Sequence, residues 1–123
     1  MKFMLLCYDD EKALESAGQA ALQATMQEAI ALTHELNGKG QYVLATPLQG
    51  TSTATCVRIR DGKRLITDGP FAETREFLGG FYIIDVKDQA EAIEIASRHP
   101  GLRFGGMEVR PIVELEGVCA SQE

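Results

Sequence analysis

Apolar residues recur along the chain with two different periods, and the change of period marks the first two elements. Every position from Phe3 to Tyr8 is apolar or aromatic, in a run too short for a helix, so residues 2–8 are predicted to form a buried strand. From about residue 11 to residue 36, apolar residues return at spacings of three and four, which predicts one long amphipathic helix. Its stripe consists of Leu22, Met26, Ala29, Thr33 and Leu36. Asn37 and Gly38 are predicted to end this helix.

The middle of the chain shows the two-residue period of strands. Residues 41–46 and 53–60 are strand candidates. Asp61 and Gly62 follow the second candidate and form a hairpin turn signal, because both residue types accept the positive φ that such a turn needs. The return strand is predicted at about residues 64–67, and a further strand at residues 79–86.

The last third of the chain predicts a helix and an edge strand. Asp88 is expected to cap the helix, with Glu91 at the spacing of a capping box. Over residues 107–115 apolar and polar side chains alternate, which predicts a final strand. Pro111 has no N–H to give to a ladder, so this strand is expected at an edge of the sheet.

This order of elements predicts an α+β fold, the ferredoxin-like β-α-β-β-α-β arrangement with an inserted hairpin. We expect a single domain over residues 1–116 and a C-terminal tail over residues 117–123. Two helices cover only one face of a four-stranded sheet, yet the central strands carry apolar residues on both faces. We therefore expect a homodimer in which the two sheets pack face to face.

Composition and charge narrow the function classes. The 123 residues are 45% apolar and 24% charged, as in ordinary soluble domains. The net charge of −6 leaves no basic patch of the size that nucleic acids require, so no nucleic-acid partner is expected. The apolar run near the start is short and is followed at once by acidic residues, so we expect no signal peptide, no membrane association and a cytoplasmic location. The three cysteines lack C-x-x-C spacing, which argues against a disulfide framework.

Three stretches carry a resemblance to a known family. They read "TDGPFAETREFLGGFYIIDV", "AIEIASRHPG" and "GGMEVRPIVEL". In them, and in the order of elements around them, the chain resembles the DGPF-domain proteins of the YCII-related family over about residues 1–116. The resemblance implies a dimeric α+β barrel, a fold also used by muconolactone isomerases and several small monooxygenases. It also implies genes that lie beside, or are fused to, extracytoplasmic-function sigma factors.

The resemblance transfers little of a known active site. One member of the wider family is similar to a dehydrochlorinase that uses a His and Asp pair, with the His in an R-P-x-H segment at the start of the first helix. This chain reads "YDDEKALESAG" there and has no His, so the pair cannot be carried over. Only Asp68, in the Gly-Pro turn, matches part of the family site.

Asp68 is the first catalytic candidate. A carboxylate held on a rigid, partly buried turn suits a general base or a substrate anchor. Its alternative role is structural, accepting backbone hydrogen bonds in an Asx-type turn. Gly69 and Pro70 are expected to shape the turn beside a substrate, and Phe71 is expected either to plug the core or to stack on a ligand.

Charged residues near the turn are candidates for substrate binding. Arg58 and Arg60 project from one face of a strand; if that face points inward they bind an anion, and if it points outward they form a soluble surface. Glu73, Arg75 and Glu76 are expected either to line a cleft or to lie in a solvated loop.

His99 is the second catalytic candidate, because imidazole exchanges protons near neutral pH. The alternative is a cation placed favourably at a helix end. The two histidines lie in different helices, so no metal is expected. No cofactor is expected either, because Gly79-Gly80 and Gly105-Gly106 each precede a predicted strand and lack the helix end that phosphate sites use.

Three functions follow from these residues. The first is a cofactor-free enzyme with lyase or isomerase chemistry on a small oxygenated or anionic molecule, with Asp68 as acid or base. The second is a noncatalytic module that binds a ligand or a regulatory protein, linked to a sigma factor by the resemblance alone. The third is a structural role for the turn in folding and dimer contact.

Overall fold

The computed structural model describes residues 1–71 and 75–115. Its helices are α1 (Glu11–Ala17), α2 (Gln19–Gly38) and α3 (Gln89–Ser97). Its strands are β1 (Lys2–Asp10), β2 (Tyr42–Pro47), β3 (Thr55–Arg60), β4 (Lys63–Asp68), β5 (Glu76–Asp85) and β6 (Gly105–Pro111). Short 3₁₀ helices span Thr51–Thr53 and Pro100–Arg103. Glu73 and the predicted tail over residues 117–123 lie outside the described residues.

Four strands form one antiparallel sheet in the order β2-β5-β1-β6. This order confirms the predicted ferredoxin-like α+β class. The strand that ends at Pro111 lies at an edge, as its missing N–H requires. Strands β3 and β4 form the predicted hairpin as a separate two-stranded sheet. Its turn has φ of 50° at Asp61 and 75° at Gly62, the backbone that the sequence signal predicts.

The hydrophobic core lies on the sheet face that α2 and α3 cover. Side chains alternate along strands, so every second residue of β1 and β5 points to this face. Phe3 and Leu5 of β1 are buried there against Leu36 of α2 and Ile95 of α3. Burying each such side chain stabilises the fold by about 1.5–3 kcal/mol relative to leaving it in water.

The first predicted helix is wrong in its continuity. The apolar period runs on through Gly18, but the backbone there has φ of +89° and divides the segment into α1 and α2. Asp10 caps α1 by accepting hydrogen bonds from the N–H groups of Lys12 and Ala13. Helix α2 continues through Gly38, and Gly40, rather than Asn37 or Gly38, takes the left-handed conformation after it.

The other face of the sheet carries apolar side chains on the same central strands. In the β1–β5 register Met4 lies opposite Ile83 and Leu6 opposite Phe81, and all four are half-buried in the single chain. Leu44 of β2 continues this open face and is 45% exposed. The homodimer expected to cover it stays a prediction.

None of the helices within residues 1–71 and 75–115 combines the length and the hydropathy needed to cross a membrane. The cytoplasmic location stays a prediction.

Candidate functional site

A cavity of about 490 Å³ lies between α2 and the sheet. We call it the α2 cavity; its lining includes Cys7, Asp9, Met26, Ile30, Tyr82 and His99. Met26 and Ile30 of α2 border it and are 48% and 49% exposed, so the cavity is open to solvent on the helix side. Its walls are mostly apolar, with a few polar groups contributed by both α2 and the sheet, which is the usual make-up of a small-molecule site.

Asp9 places a half-buried carboxylate in the wall of this cavity. Burial raises its pKa, and the negative charges of Glu11 and Glu76 raise it further. Glu11 is itself kept ionised, because the hydroxyl and N–H of Thr51 donate hydrogen bonds to its two oxygens at 2.6 and 3.0 Å and lower its pKa. A fixed negative charge therefore lies close to Asp9.

The neighbouring carboxylate has the opposite environment. The N–H of Ala13, the guanidinium of Arg75 and the N–H of Lys12 hold the pKa of Asp10 below its ordinary value. Two adjacent aspartates thus differ in basicity: Asp10 serves as an ionised helix cap, while Asp9 binds a proton more readily. Pairs of carboxylates with pKa values pushed apart are typical of acid–base sites.

His99 contributes a neutral imidazole to the cavity. Its Nδ1 accepts a hydrogen bond of 2.9 Å from the N–H of Gly101, so the ring proton lies on Nε2 in the neutral form. Burial lowers its pKa. The ring meets Tyr82 edge-on, with centroids 5.3 Å apart and planes at 81°. Because the ring is uncharged near neutral pH, it does not act as the cation that the helix-end alternative requires.

Tyr82 and Cys7 complete the polar part of the lining. The Tyr82 hydroxyl lies 3.2 Å from the hydroxyl of Thr33 and 3.4 Å from the carbonyl oxygen of Ala29, and burial raises its pKa. Burial, with a further contribution from the charge of Asp9, raises the pKa of Cys7 to about 11. The thiol is therefore protonated near neutral pH and is not a nucleophile there.

Of the residues predicted to form a site, Asp68, Arg58 and Arg60 lie on the β3–β4 hairpin and divide between its two faces. Asp68 pairs with Thr55, and Arg58 lies three residues further along the same strand as Thr55. Side chains alternate between the two faces of a strand, so Asp68 and Arg58 project from opposite sides of the hairpin. Asp68 is exposed rather than partly buried as expected, and it lines neither the α2 cavity nor the hollow that Arg75 borders. Its catalytic assignment stays a prediction.

Arg58 and Phe71 form a contact that the sequence did not reveal. The guanidinium of Arg58 lies 4.4 Å from the centroid of the Phe71 ring, and that ring is 65% exposed rather than in the core. Arg60 shares the face of Arg58 and is exposed. Pro70 is also exposed, in the turn that follows β4.

Gly69 has the backbone role predicted for it. Its φ of +96° favours glycine, its N–H donates to the carbonyl oxygen of Ala54 at 2.8 Å, and its carbonyl oxygen accepts a 2.7 Å hydrogen bond from the thiol of Cys56.

Arg75 and Glu76 lie apart from the hairpin, where β5 meets the start of α1. Arg75 Nε donates to Oδ2 of Asp10 at 3.0 Å, and Arg75 borders a second hollow of about 580 Å³ together with Glu11, Lys12 and Glu15. Glu76 pairs with Asp10 in the sheet. Within the described residues, the predicted set therefore occupies three places: the hairpin, the start of β5 and, for His99, the α2 cavity.

Sequence reasoning missed Asp9, although a signal was present. Phe3, Leu5 and Cys7 alternate on one face of β1, and the same two-residue step leads to Asp9. The apolar run alone predicts a strand that ends at residue 8, whereas β1 continues through Asp10. In the part of the chain that the structure describes, no three His, Cys, Asp or Glu side chains are grouped as metal ligands would be.

Comparisons with known proteins place this geometry in context. Residues 1–116 match the family described as the YCII-related domain. An uncharacterised protein of Rhizobium meliloti (strain 1021) is 32% identical over 114 residues, which cover 91% of this chain and 92% of that one. The structure of 5-chloro-2-hydroxyhydroquinone dehydrochlorinase from Burkholderia phenoliruptrix AC1100, in complex with 2,5-dihydroxybenzoquinone, aligns with a TM-score of 0.52, at 14% identity, over 94% of this chain and 96% of that one. At that identity the likeness shows the fold alone.

Proposed function

The chain belongs to the family of YCII-related domains, and from that premise we propose that it is a cofactor-free enzyme that performs acid–base chemistry on a small oxygenated molecule in the α2 cavity. The single observation that carries the proposal is the carboxylate of Asp9, half-buried in the cavity wall with a raised pKa. A carboxylate whose pKa is shifted toward neutral pH is a better general base than a solvated one.

In this proposal Asp9 and His99, which both line the cavity, have complementary roles. Asp9 takes a proton from a carbon next to a carbonyl group of the substrate, and the electron pair moves onto the carbonyl oxygen. Nε2–H of His99 donates a hydrogen bond to that oxygen and stabilises its developing charge. Return of the proton to another carbon completes an isomerisation, and departure of a leaving group with the electron pair completes an elimination. His99 stays neutral throughout, as its lowered pKa favours.

The lining also favours one of the two substrate classes expected from the sequence. None of the described residues around the α2 cavity is Lys or Arg, whereas the negative charges of Glu11 and Glu76 act on Asp9 in its wall. An anion bound there would be repelled and would lose its hydration without a cationic partner. An uncharged, largely apolar molecule with carbonyl or hydroxyl oxygens fits better than an anionic one.

The exchange of substrate C–H hydrogens with solvent deuterium tests the proposal without knowledge of the product. Uncharged cyclic ketones and hydroxylated ring compounds are incubated with the protein in D₂O and followed by proton NMR. We expect the wild-type protein and Asp68→Asn to exchange one of them, and Asp9→Asn to lose the exchange. If Asp68→Asn lost the exchange and Asp9→Asn kept it, Asp68 on the hairpin would be the general base instead of Asp9. Binding without exchange or turnover by any compound would favour the noncatalytic ligand-binding module.

We further propose that a second copy of the chain covers the open face of the sheet. Support comes from the apolar residues that this face presents on three adjacent strands: Leu44 on β2, Phe81 and Ile83 on β5, and Met4 and Leu6 on β1. An apolar face of this extent on a soluble domain is typical of an interaction surface. The link to a sigma factor stays a prediction from family resemblance.

A further inference from the structure

The pairing of β1 with β5 contains an irregularity beside Asp9. Cys7 pairs with Gly80 and the next residue, Tyr8, pairs with Leu78, so Gly79 is an extra residue in β5, as in a β-bulge. The carbonyl oxygen of Gly79 accepts a 2.8 Å hydrogen bond from the N–H of Leu48, which ties the bulge to the chain after β2. This hydrogen bond holds the backbone of Gly79 against the segment that follows β2.

The glycine at this bulge is not required by the backbone angles. The glycines with positive φ in the described chain are Gly18, Gly40, Gly62 and Gly69, and Gly79 is not among them. Its missing side chain has a different consequence. A Cβ atom at Gly79 would overlap Oδ2 of Asp9 and lie only 3.0 Å from its Cγ. The overlap is with the end of a side chain, so the strand pairing survives it while the carboxylate has to move.

We propose that Gly79 is a positioning residue whose missing side chain leaves the space in which the Asp9 carboxylate is held in the wall of the α2 cavity. This inference rests on the proposed function for its consequence in catalysis, but the position of the carboxylate is a separate property. Among the described residues, the charged or titratable groups that act on Asp9 or line the cavity with it include Glu11 from α1, Glu76 and Tyr82 from β5 and Cys7 from β1, with His99 and His34 elsewhere in the lining.

Gly79→Ala tests the inference, and Gly106→Ala is its matched control. A Cβ at Gly106 would have no atom within 4 Å, although this glycine also lies in a strand next to β1 and pairs with Tyr8. The pKa of the Asp9 carboxyl is measured by carbon-13 NMR titration in the wild type and both variants. We expect Gly79→Ala to lower the Asp9 pKa and to remove more than half of the difference between that pKa and the ordinary aspartate value. We expect Gly106→Ala to leave the Asp9 pKa unchanged. An unchanged Asp9 pKa in Gly79→Ala would overturn the inference.

The exchange assay adds a second readout, because Gly79 is proposed to act only through Asp9. In the wild-type background Gly79→Ala is expected to reduce the exchange rate to that of Asp9→Asn. In the Asp9→Asn background the same substitution is expected to cause no further decrease in the exchange rate, because coupled residues have non-additive effects. An equal further loss in that background would contradict the inference. If Gly79→Ala alone does not fold, the Gly79→Ala, Asp9→Ala double variant is expected to fold; failure of both would contradict it.

The failure of the proposed function gives a different pattern. A wild-type protein that exchanges no substrate hydrogen would overturn the acid–base proposal, while the NMR titration of Gly79→Ala would still decide whether Gly79 positions the carboxylate.

Discussion

Gly105 offers a test of how closely the strands must approach to place Asp9. In the β1–β6 ladder Gly105 pairs with Asp9, and a Cβ atom on it would overlap the carbonyl oxygen of Tyr8. It would also lie 2.8 Å from the carbonyl carbon of Tyr8 and 3.0 Å from Cα of Asp9. These are backbone atoms, so Gly105→Ala is expected to push the end of β1 away from β6.

The overlap with backbone atoms allows an estimate of the free energy of unfolding that Gly105→Ala loses. Forcing an added methyl group against packed atoms costs about 1–3 kcal/mol. For a domain of this size each kcal/mol lowers the melting temperature by about 3–5 °C, which gives a decrease of roughly 3–15 °C. The neighbouring Gly106→Ala places its methyl group in open space and is expected to change stability by less than about 1 kcal/mol.

Thermal unfolding by circular dichroism measures both variants, and a urea titration gives their free energies of unfolding. Equal melting temperatures for Gly105→Ala and Gly106→Ala would refute the reasoning, because only the backbone contact at Gly105 distinguishes them. A selective loss in Gly105→Ala would show that the close approach of β6 supports the segment carrying Asp9.

Two further predictions concern Asp9 and the open face. Because folding raises the pKa of Asp9, ionisation of its carboxyl group opposes folding, and Asp9→Asn is expected to be more stable than the wild type at pH 7. This difference in stability is expected to vanish as the pH falls below the ordinary aspartate pKa of about 3.9. Equal urea midpoints of the two proteins at pH 7 would contradict this prediction. Leu6→Glu is expected to give a monomer by light scattering at micromolar concentration, while Ile93→Glu, on an exposed site of α3, keeps the dimer; a monomeric wild type would exclude the dimer.

Local signals were enough to predict much of the fold. The Asp61-Gly62 turn, the cap at Asp88 and the edge position of the strand ending at Pro111 each depend on the backbone needs of one or two residues. The side chain of Asp88 accepts the N–H of Glu91 at 2.9 Å, as the capping-box spacing predicts. The break at Gly18 was missed because the apolar period continues across it.

The site was harder to predict, because it depends on contacts between distant parts of the chain. Asp9 belongs to β1 only because it pairs with Phe77 on one side and Gly105 on the other. Its raised pKa depends first on burial, beside Gly79, and then on the charge of Glu11, which Thr51 keeps ionised. The motif around Asp68 combines charged and turn residues at high density, which predicts a site, yet the register of the hairpin places Asp68 and Arg58 on opposite faces.

The most direct test of the central claim is a site-resolved carbon-13 NMR titration of the carboxyl groups of Asp9 and Asp68 in the wild-type protein. It needs no substrate and compares the two candidate bases in one sample. We predict that Asp9 titrates above the ordinary aspartate value of about 3.9, because burial and the charges of Glu11 and Glu76 raise its pKa. An Asp9 that titrates at or below that value would contradict the claim that this cavity holds a general base.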